Sequence, residues 1–186
     1  MGILGDRVDV LEMLFITGKL PENFSVCELG DQFITEPMPR RLARDWYVSW
    51  GCSRYVSLDS NGNNGSRVVD LNRSLPLDET FDLVTDFGTG EHVFDQRRVW
   101  ESLHRLTRVG GYIAFDRPCA GYAEHCFYLI NECLVRDLAA ANGYATEELS
   151  YRDMPRGRLI RGVLRRKRSD PFRVPHQGRY TRSSRL

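Results

Sequence analysis

The chain has 186 residues, of which 41% are hydrophobic and 27% are charged. A chain of this length and content can bury one sizeable core but hardly two, and it does not fit a disordered class. Its five cysteines are odd in number and form no C-x-x-C pair. The sequence therefore favours neither a disulfide framework nor a zinc site.

No targeting or membrane signal is found in the sequence. Residues 2–7 lack the basic segment and the apolar segment of a signal peptide. No apolar run approaches the length that spans a membrane. We therefore expect a cytoplasmic protein with reduced cysteines and no membrane partner, of unknown oligomeric state.

The net charge of +1 hides a division between two parts of the chain. Residues 1–155 hold 15 basic and 24 acidic side chains, net −9, whereas residues 156–186 hold 11 basic and one acidic, net +10. We predict one domain over residues 1–168 and a basic C-terminal tail over residues 169–186. Such a tail can bind nucleic acid, but it has few aromatic residues for stacking, so we favour a solvated or packed terminus.

The hydrophobic pattern predicts helices and strands that alternate along the chain. Apolar residues at helical spacing, closed by Gly18, predict a first helix over about residues 6–17. Later helices are predicted over about residues 42–50, after Asp95 as N-cap, and from about residue 127 to 143. Short apolar runs predict strands over residues 24–29, 54–58, 67–71, 81–86, 112–115, 145–151 and 159–166.

This order of elements predicts a doubly wound α/β fold. Strands that alternate with helices form a mainly parallel sheet with helices on both faces, because crossovers between parallel strands are right-handed. The last two strands have no long helix between them and can form a hairpin. Ligands of such sheets bind beyond the carboxyl ends of the strands.

Polar residues follow the first three predicted strands. Glu28-Leu29-Gly30 ends the first strand, and a glycine there lets the backbone approach a ligand closely. Asp59 ends the second strand, where nucleoside-binding sheets place an acid that accepts hydrogen bonds from ribose hydroxyls. Asp70 and Leu71 end the third. Glycine, Asp59 and Asp70 at these positions also have a plainer interpretation as turn residues.

The clearest motifs surround the fourth and fifth strands. Residues 81–84 read FDLV, residues 88–93 read GTGEHV, and residues 121–128 read GYAEHCFY. Together with Glu28-Leu29-Gly30, these segments resemble class I S-adenosyl-L-methionine (SAM) dependent methyltransferases, in particular a group with GTxEHV and GYxxHxFY loops. The match to the family's E/D-x-G-x-G loop is incomplete, because residues 31–33 are Asp-Gln-Phe.

The resemblance covers about residues 24–168 and implies a Rossmann-like class I methyltransferase fold. This fold has a mainly parallel seven-stranded sheet in a three-layer α/β/α arrangement, with an antiparallel seventh strand. The resemblance also implies SAM as the cofactor. The implied reaction is methyl transfer to an oxygen or nitrogen atom of a small molecule or biosynthetic intermediate.

The resemblance further implies the residues of the site. The cofactor would contact Glu28, Gly30, Asp59, Asp70, Leu71, Asp86 and Gly88. The substrate would contact Tyr122, Glu124 and Tyr128. We predict His125, His92 and Glu91 as catalytic residues, because a histidine can take a proton near neutral pH and a carboxylate can orient its ring. The plainer interpretation is that both histidines only hold loops in place. No metal is predicted.

Two alternatives stay open on the sequence alone. The incomplete glycine loop fits a catalytically silent, methyltransferase-like binding protein, and the basic tail fits an RNA methyltransferase. Pro118-Cys119 follows the fifth strand rather than the fourth, which disfavours a cytosine-C5 methyltransferase. No Asn/Asp-Pro-Pro-Tyr motif follows the fourth strand, and the chain has no Walker A, G-x-S-x-G, H-E-x-x-H or full G-x-G-x-x-G motif.

Overall fold

The computed structural model describes residues 2–3, 5–35 and 40–178. Among these are four α-helices, which are α1 (Gly5–Ile16), α2 (Ala43–Ser49), α3 (Gln96–Leu106) and α4 (Glu132–Asn142). The strands are β1 (Gly2–Ile3), β2 (Ser25–Leu29), β3 (Phe33–Ile34), β4 (Arg41–Leu42), β5 (Arg54–Asp59), β6 (Arg67–Val68), β7 (Phe81–Phe87), β8 (Thr107–Gly121), β9 (Tyr144–Met154) and β10 (Gly157–Arg166).

Seven of these strands form the main sheet, in the order β6-β5-β2-β7-β8-β10-β9. The first five strands of this order pair in parallel. Strand β10 is antiparallel to both β8 and β9, so the last two strands form the predicted hairpin. The prediction of a mainly parallel seven-stranded sheet with an antiparallel seventh strand is confirmed. Strands β1, β3 and β4 form a separate small sheet.

The ends of the helices follow from capping residues. The Asp95 side chain accepts a hydrogen bond from the Arg98 backbone N–H and caps α3, as predicted. Gly143 ends α4 with a φ of 65°, also as predicted. The predicted start of α4 near residue 127 is wrong, because the Asn131 side chain caps the helix at the Leu134 N–H. Residues 127–131 therefore belong to the loop after β8.

The hydrophobic core has one layer on each face of the sheet. On one face, α3 and α4 bury Val99, Leu103 and Leu138 against the sheet. On the other, α1 and α2 bury their own apolar residues, among them Leu14 and Trp46. Because successive side chains of a strand point to opposite faces of the sheet, alternate residues of each strand belong to the two layers. These contacts give the predicted three-layer α/β/α arrangement. None of the described helices is both long and apolar enough to cross a membrane.

The chain after β10 lies along the body as far as residue 178. Phe172 packs against the core. The Arg173 N–H donates to Asn142 Oδ1 at 2.7 Å, and the Gly178 N–H donates to Asp137 Oδ2 at 2.8 Å. The rest of the predicted basic tail, residues 179–186, lies outside the described residues. The division into a domain and a tail at residue 168 stays a prediction.

Gly162 of β10 allows the close approach of a buried ring. A Cβ atom on Gly162 would lie 2.2 Å from Cζ of Phe115, its partner across the strand pair. Phe115 is fully buried and packs edge-on against Trp100 at 5.5 Å between ring centroids. We expect Gly162→Ala to lower the free energy of unfolding by about 1–3 kcal/mol, as overpacking does. Denaturant-induced unfolding measures this change.

A control for this variant is Ser150→Ala on the neighbouring strand β9. Among the described residues, the Ser150 hydroxyl bonds to the side chain of Glu148 alone, at 2.9 Å, so its loss should leave stability nearly unchanged. If the two variants unfold at the same denaturant concentration, the packing argument for Gly162 is wrong.

Candidate active site

Two open clefts lie at the carboxyl edge of the parallel strands, and they share one residue. The first cleft has a volume of about 450 Å³ and is lined by Asp59, Ser60, Val68, Val69, Asp70, Leu71, Asn72, Thr89, His92 and Val93. The second has a volume of about 550 Å³ and is lined by His92, Glu124, His125, Cys126 and Phe127. Because His92 lines both, the two clefts adjoin at this side chain.

Asp59 at the end of β5 lines the first cleft and is held rigidly. Its Oδ2 accepts a hydrogen bond from the Asp31 N–H at 2.8 Å, and its Oδ1 accepts one from the Asn61 N–H at 3.0 Å. The Ser60 hydroxyl also donates to Oδ1 at 3.4 Å. A carboxylate oxygen has two lone pairs, so Oδ2 can accept a further bond from a ligand hydroxyl. The sequence predicted an acid at this place, and the structure puts it at the wall of the cleft.

Asp70 and Leu71, predicted to contact the cofactor, also line the first cleft. Asp70 is exposed, and its Oδ1 accepts hydrogen bonds from the backbone N–H of Asn72 at 2.9 Å and from its side-chain amide at 3.0 Å. These bonds lower the pKa of Asp70, which stays ionised. Leu71 is buried and gives this wall an apolar surface.

The turn at Gly30 is closed by protein side chains. Gly30 has a φ of 93°, which favours glycine, and a Cβ atom there would lie 2.3 Å from Thr89 Oγ1. The Thr89 hydroxyl donates to the Leu29 carbonyl at 2.9 Å, and Gln32 Nε2 donates to the Thr89 hydroxyl at 3.1 Å. The loop after β2 is thus tied to the loop after β7.

Glu28, predicted as a cofactor contact, is completely buried beneath this turn. Its carboxyl group accepts hydrogen bonds from the hydroxyl of Tyr55, from Thr85 at 3.4 Å and from Tyr47 at 3.5 Å. Burial raises the pKa of Glu28 to about 8, although these bonds oppose the shift. Glu28 is therefore neutral at pH 7 and is not among the residues that line the first cleft.

Asp86 and Gly88 determine the path of the loop after β7. Asp86 is fully buried, and its Oδ1 accepts hydrogen bonds from the N–H groups of Gly90 at 2.8 Å and of Thr89 at 3.3 Å. Gly88 has a φ of 83°, which lets the chain turn out of the strand. Neither residue lines the first cleft. Their predicted contact with a cofactor is untested by this geometry.

A buried arginine lies beneath the same loop. Arg117, within β8, is fully buried, with its Nε 3.8 Å from Asp86 Oδ2 and 3.7 Å from Glu91 Oε2. Its Nη2 donates to Gln96 Oε1 at 2.7 Å. Arg117 is not among the residues predicted from the sequence. Its signal is the charged pair Asp116-Arg117 directly after the predicted apolar strand over residues 112–115, a position typical of ligand-site residues.

The three predicted catalytic residues come together in the structure. One ligand atom from each of Glu91, His92 and His125 lies within 4.8 Å of the others. The two imidazole ring centroids are 5.0 Å apart. The Glu91 carbonyl accepts hydrogen bonds from the N–H groups of Phe127 at 3.1 Å and Tyr128 at 3.3 Å, which join the two loops. Burial lowers the pKa of His92, and the charges of His125 and Arg117 lower it further.

The predicted substrate contacts lie around the second cleft. Glu124 lines it, and the Tyr122 ring centroid is 5.5 Å from that of His125. Tyr128 packs edge-on against Phe94 at 6.2 Å. Phe94 and Phe127 are 71% and 68% exposed, and their rings meet edge-on at 6.2 Å. These two phenylalanines form an apolar surface beside the cleft. Phe127 belongs to the predicted GYAEHCFY segment, whereas Phe94 was not predicted from the sequence.

Part of the chain matches a known protein family. A family model described as a methyltransferase domain matches residues 53–115, which include β5 and β7 and the start of β8. The chain has the class I methyltransferase fold. The matched segment is about a third of the chain. No curated protein sequence matches the chain significantly.

Several solved structures share the fold at low sequence identity. The 1,6-didemethyltoxoflavin-N1-methyltransferase of Burkholderia thailandensis, crystallised with that compound and S-adenosylhomocysteine (SAH), superposes with a TM-score of 0.63 at 14% identity, covering 88% of this chain and 79% of that one. TehB of Haemophilus influenzae gives 0.64 at 14%, covering 89% and 63%. The N-methyltransferase NodS of Bradyrhizobium japonicum gives 0.61 at 13%, covering 88% and 96%.

The raised pKa of Glu28 predicts a pH-dependent stability. Some carboxyl groups are neutral in the folded protein but ionised in the unfolded chain. Such a group makes its full contribution to stability at pH values below its pKa in the unfolded chain. That contribution falls as the pH rises from about 5 to about 8, by up to about 1.4 kcal/mol per pH unit. We therefore expect Glu28→Gln to flatten the pH profile of unfolding over this range.

The matched control for this prediction is Glu22→Gln, because Glu22 is exposed. Unfolding by urea, followed at several pH values, compares the three proteins. A Glu28→Gln profile as steep as that of the wild type would contradict the assignment of Glu28 as a buried, neutral carboxyl group.

Proposed function

We propose that this protein transfers the methyl group of SAM to an oxygen or nitrogen atom of a small molecule. The single observation that carries the proposal is that two clefts meet at His92. The first cleft lies at the ends of strands that carry aspartates, as in nucleoside sites. The second cleft holds ionisable side chains and exposed aromatic rings. Two such clefts can bring a donor and an acceptor together.

The first cleft fits the nucleoside part of SAM. Its volume of about 450 Å³ lies in the range of small-molecule sites. Asp59 would hold the ribose hydroxyls, and Asp70 and Leu71 would contact the adenine. Gly30 would form the turn against which the rest of the cofactor lies, above the buried Glu28, Asp86 and Gly88. When bound, SAM supplies an electrophilic methyl group on a sulfonium and leaves as SAH.

The second cleft is proposed as the acceptor site. Tyr122, Glu124 and Tyr128 would contact the acceptor, and the volume of about 550 Å³ suits a small molecule. The neighbour from Burkholderia thailandensis was solved with such a compound bound. Holding donor and acceptor in line in a dry site supplies much of the rate enhancement of a displacement reaction.

A protonated acceptor must lose its proton as the new bond forms. His125 is proposed as the base that takes this proton, with His92 beside it and Glu91 holding the pair in place. The acceptor atom would then bond to the methyl carbon while the bond from carbon to sulfur breaks. General base catalysis of this kind typically contributes about 10²- to 10⁴-fold to the rate.

One observation favours a second candidate, a silent methyltransferase-like binding protein. The space beside Gly30 is filled by Thr89 and Gln32, so the turn is closed by the protein itself. Such a protein would bind a nucleoside in the first cleft without turnover. Binding and turnover must therefore be measured separately.

Cofactor binding is tested first through Asp59. We expect SAH to raise the melting temperature of the wild type, because a ligand of the folded state stabilises it by mass action. Asp59→Ala removes the acceptor of the ribose hydroxyls and should abolish most of this shift. The control Asp45→Ala changes an exposed acid on α2 that lines neither cleft, and should keep the shift.

The measurements are differential scanning fluorimetry and calorimetric titration with SAH. Circular dichroism of Asp59→Ala checks its fold, because Asp59 also bonds two backbone N–H groups. If the wild type binds neither SAM nor SAH, the proposal fails.

Turnover tests the acceptor side. Once a methyl acceptor is found by screening, His125→Ala should lower kcat by about 10²- to 10⁴-fold and leave SAH affinity unchanged. His125 is exposed, so its replacement should not unfold the protein. The control His176→Ala alters another exposed histidine outside both clefts. A His125→Ala variant as active as the wild type would refute the role of this residue.

A further inference from the structure

We propose that Glu91, His92 and His125 form a binding site for a divalent first-row transition-metal cation, of the kind represented by Zn²⁺. The ligand atoms of these three residues lie within 4.8 Å of one another. No metal is predicted here from the sequence, and only the fold shows that the three ligand atoms lie this close together.

A modest movement of the side chains would let them hold a cation. Ligands that each lie about 2.1 Å from a tetrahedral ion are about 3.4 Å apart, so the three groups must approach one another by up to about 1.4 Å. Rotation of the exposed His125 side chain can supply this movement. The backbone hydrogen bonds from Phe127 and Tyr128 to the Glu91 carbonyl hold the two loops side by side.

The imidazole of His92 has an unused nitrogen. Its Nε2 is buried and has no hydrogen-bond partner among the described residues. A buried polar atom without a partner costs free energy, and a bound ion would remove that cost. Neutral imidazole nitrogen is the form that binds metals.

The surrounding charges favour a cation. Asp86 and Glu91 are two buried carboxylates, and Arg117 lies within 4 Å of both, so one positive charge is shared between two negative ones. Glu124 lines the same cleft and adds another acid at its exposed side. Together these three carboxylates and Arg117 carry a formal net charge of −2, although Arg117 itself opposes a positive charge at His92.

The ligand set indicates the kind of metal. Two imidazoles and one carboxylate suit Zn²⁺, Co²⁺ or Fe²⁺ rather than Mg²⁺ or Ca²⁺, which prefer oxygen ligands. Three protein ligands leave a position open toward the second cleft. An acceptor hydroxyl bound there would have its pKa lowered by the ion and would release its proton to solvent.

This last step rests on the proposed function, whereas the metal site does not. With an ion bound, His125 is a ligand, and its lone pair is not available to take a proton. The role of His125 as a base therefore describes the metal-free protein. Metal dependence of turnover distinguishes the two states.

Direct binding tests the site on the full chain after treatment with a chelator. Zn²⁺ is titrated by calorimetry, and Co²⁺ by its visible absorption, which reports the ligands. We expect one ion per chain and a Co²⁺ spectrum of nitrogen and oxygen ligation without a thiolate band. Removing a ligand in His125→Ala should weaken binding by at least about tenfold.

Two controls make the test specific. Cys126 lines the same cleft, and a thiolate there would be an alternative ligand to those proposed. If the proposed ligands are correct, Cys126→Ser leaves affinity and spectrum unchanged. His176→Ala must do the same. Absence of stoichiometric binding, loss of binding in Cys126→Ser, or unchanged binding in His125→Ala would each overturn the metal site. SAH titration of the same samples shows separately whether the proposed function stands.

Discussion

The buried guanidinium of Arg117 is the interaction on which the site depends. Asp86 and Glu91 are at most 1% exposed, and buried carboxylates are costly unless a cation accompanies them. Arg117 belongs to β8, whereas both acids belong to β7 and the loop after it. The ion pairs therefore join β8 to β7 and to this loop. Because Asp86 also holds the Thr89 and Gly90 N–H groups, the wall of the first cleft is set by the same cluster.

Most of the fold could be predicted from local signals. The apolar run over residues 81–86, the capping residue Asp95 and the turn glycine Gly143 each act within a few residues, so the sequence shows them directly. The length of β8 could not be predicted this way. It contains Gly110 and Pro118, which are poor strand residues. Pairing of Thr107 with Phe81 of β7 and of Pro118 with Leu159 of β10 extends the strand beyond the predicted residues. The start of α4 was misplaced because apolar residues 127 and 130 mimic a helical stripe.

The candidate site was predictable at the positions that face a ligand, and less so at those that support them. Asp59, His92 and His125 follow strands, where the fold type alone makes a polar residue informative. Gln32 and Arg117 act through contacts with loops that are distant in sequence, and no spacing rule reveals such contacts. Glu28 shows the opposite case. Its place in the E-x-G motif suggests a ligand contact. In the structure its carboxyl group is buried and accepts hydrogen bonds from three hydroxyl groups.

Gly30 shows how one residue can satisfy two different constraints. The motif associates this glycine with the close approach of a cofactor. Here a side chain at this position is already excluded by Thr89 and by a φ of 93°, whether or not a ligand binds. The glycine is therefore required by the folding of the turn and is not by itself evidence for a nucleoside site. That evidence lies in Asp59, whose carboxylate is fixed by two backbone N–H groups and still faces the cleft.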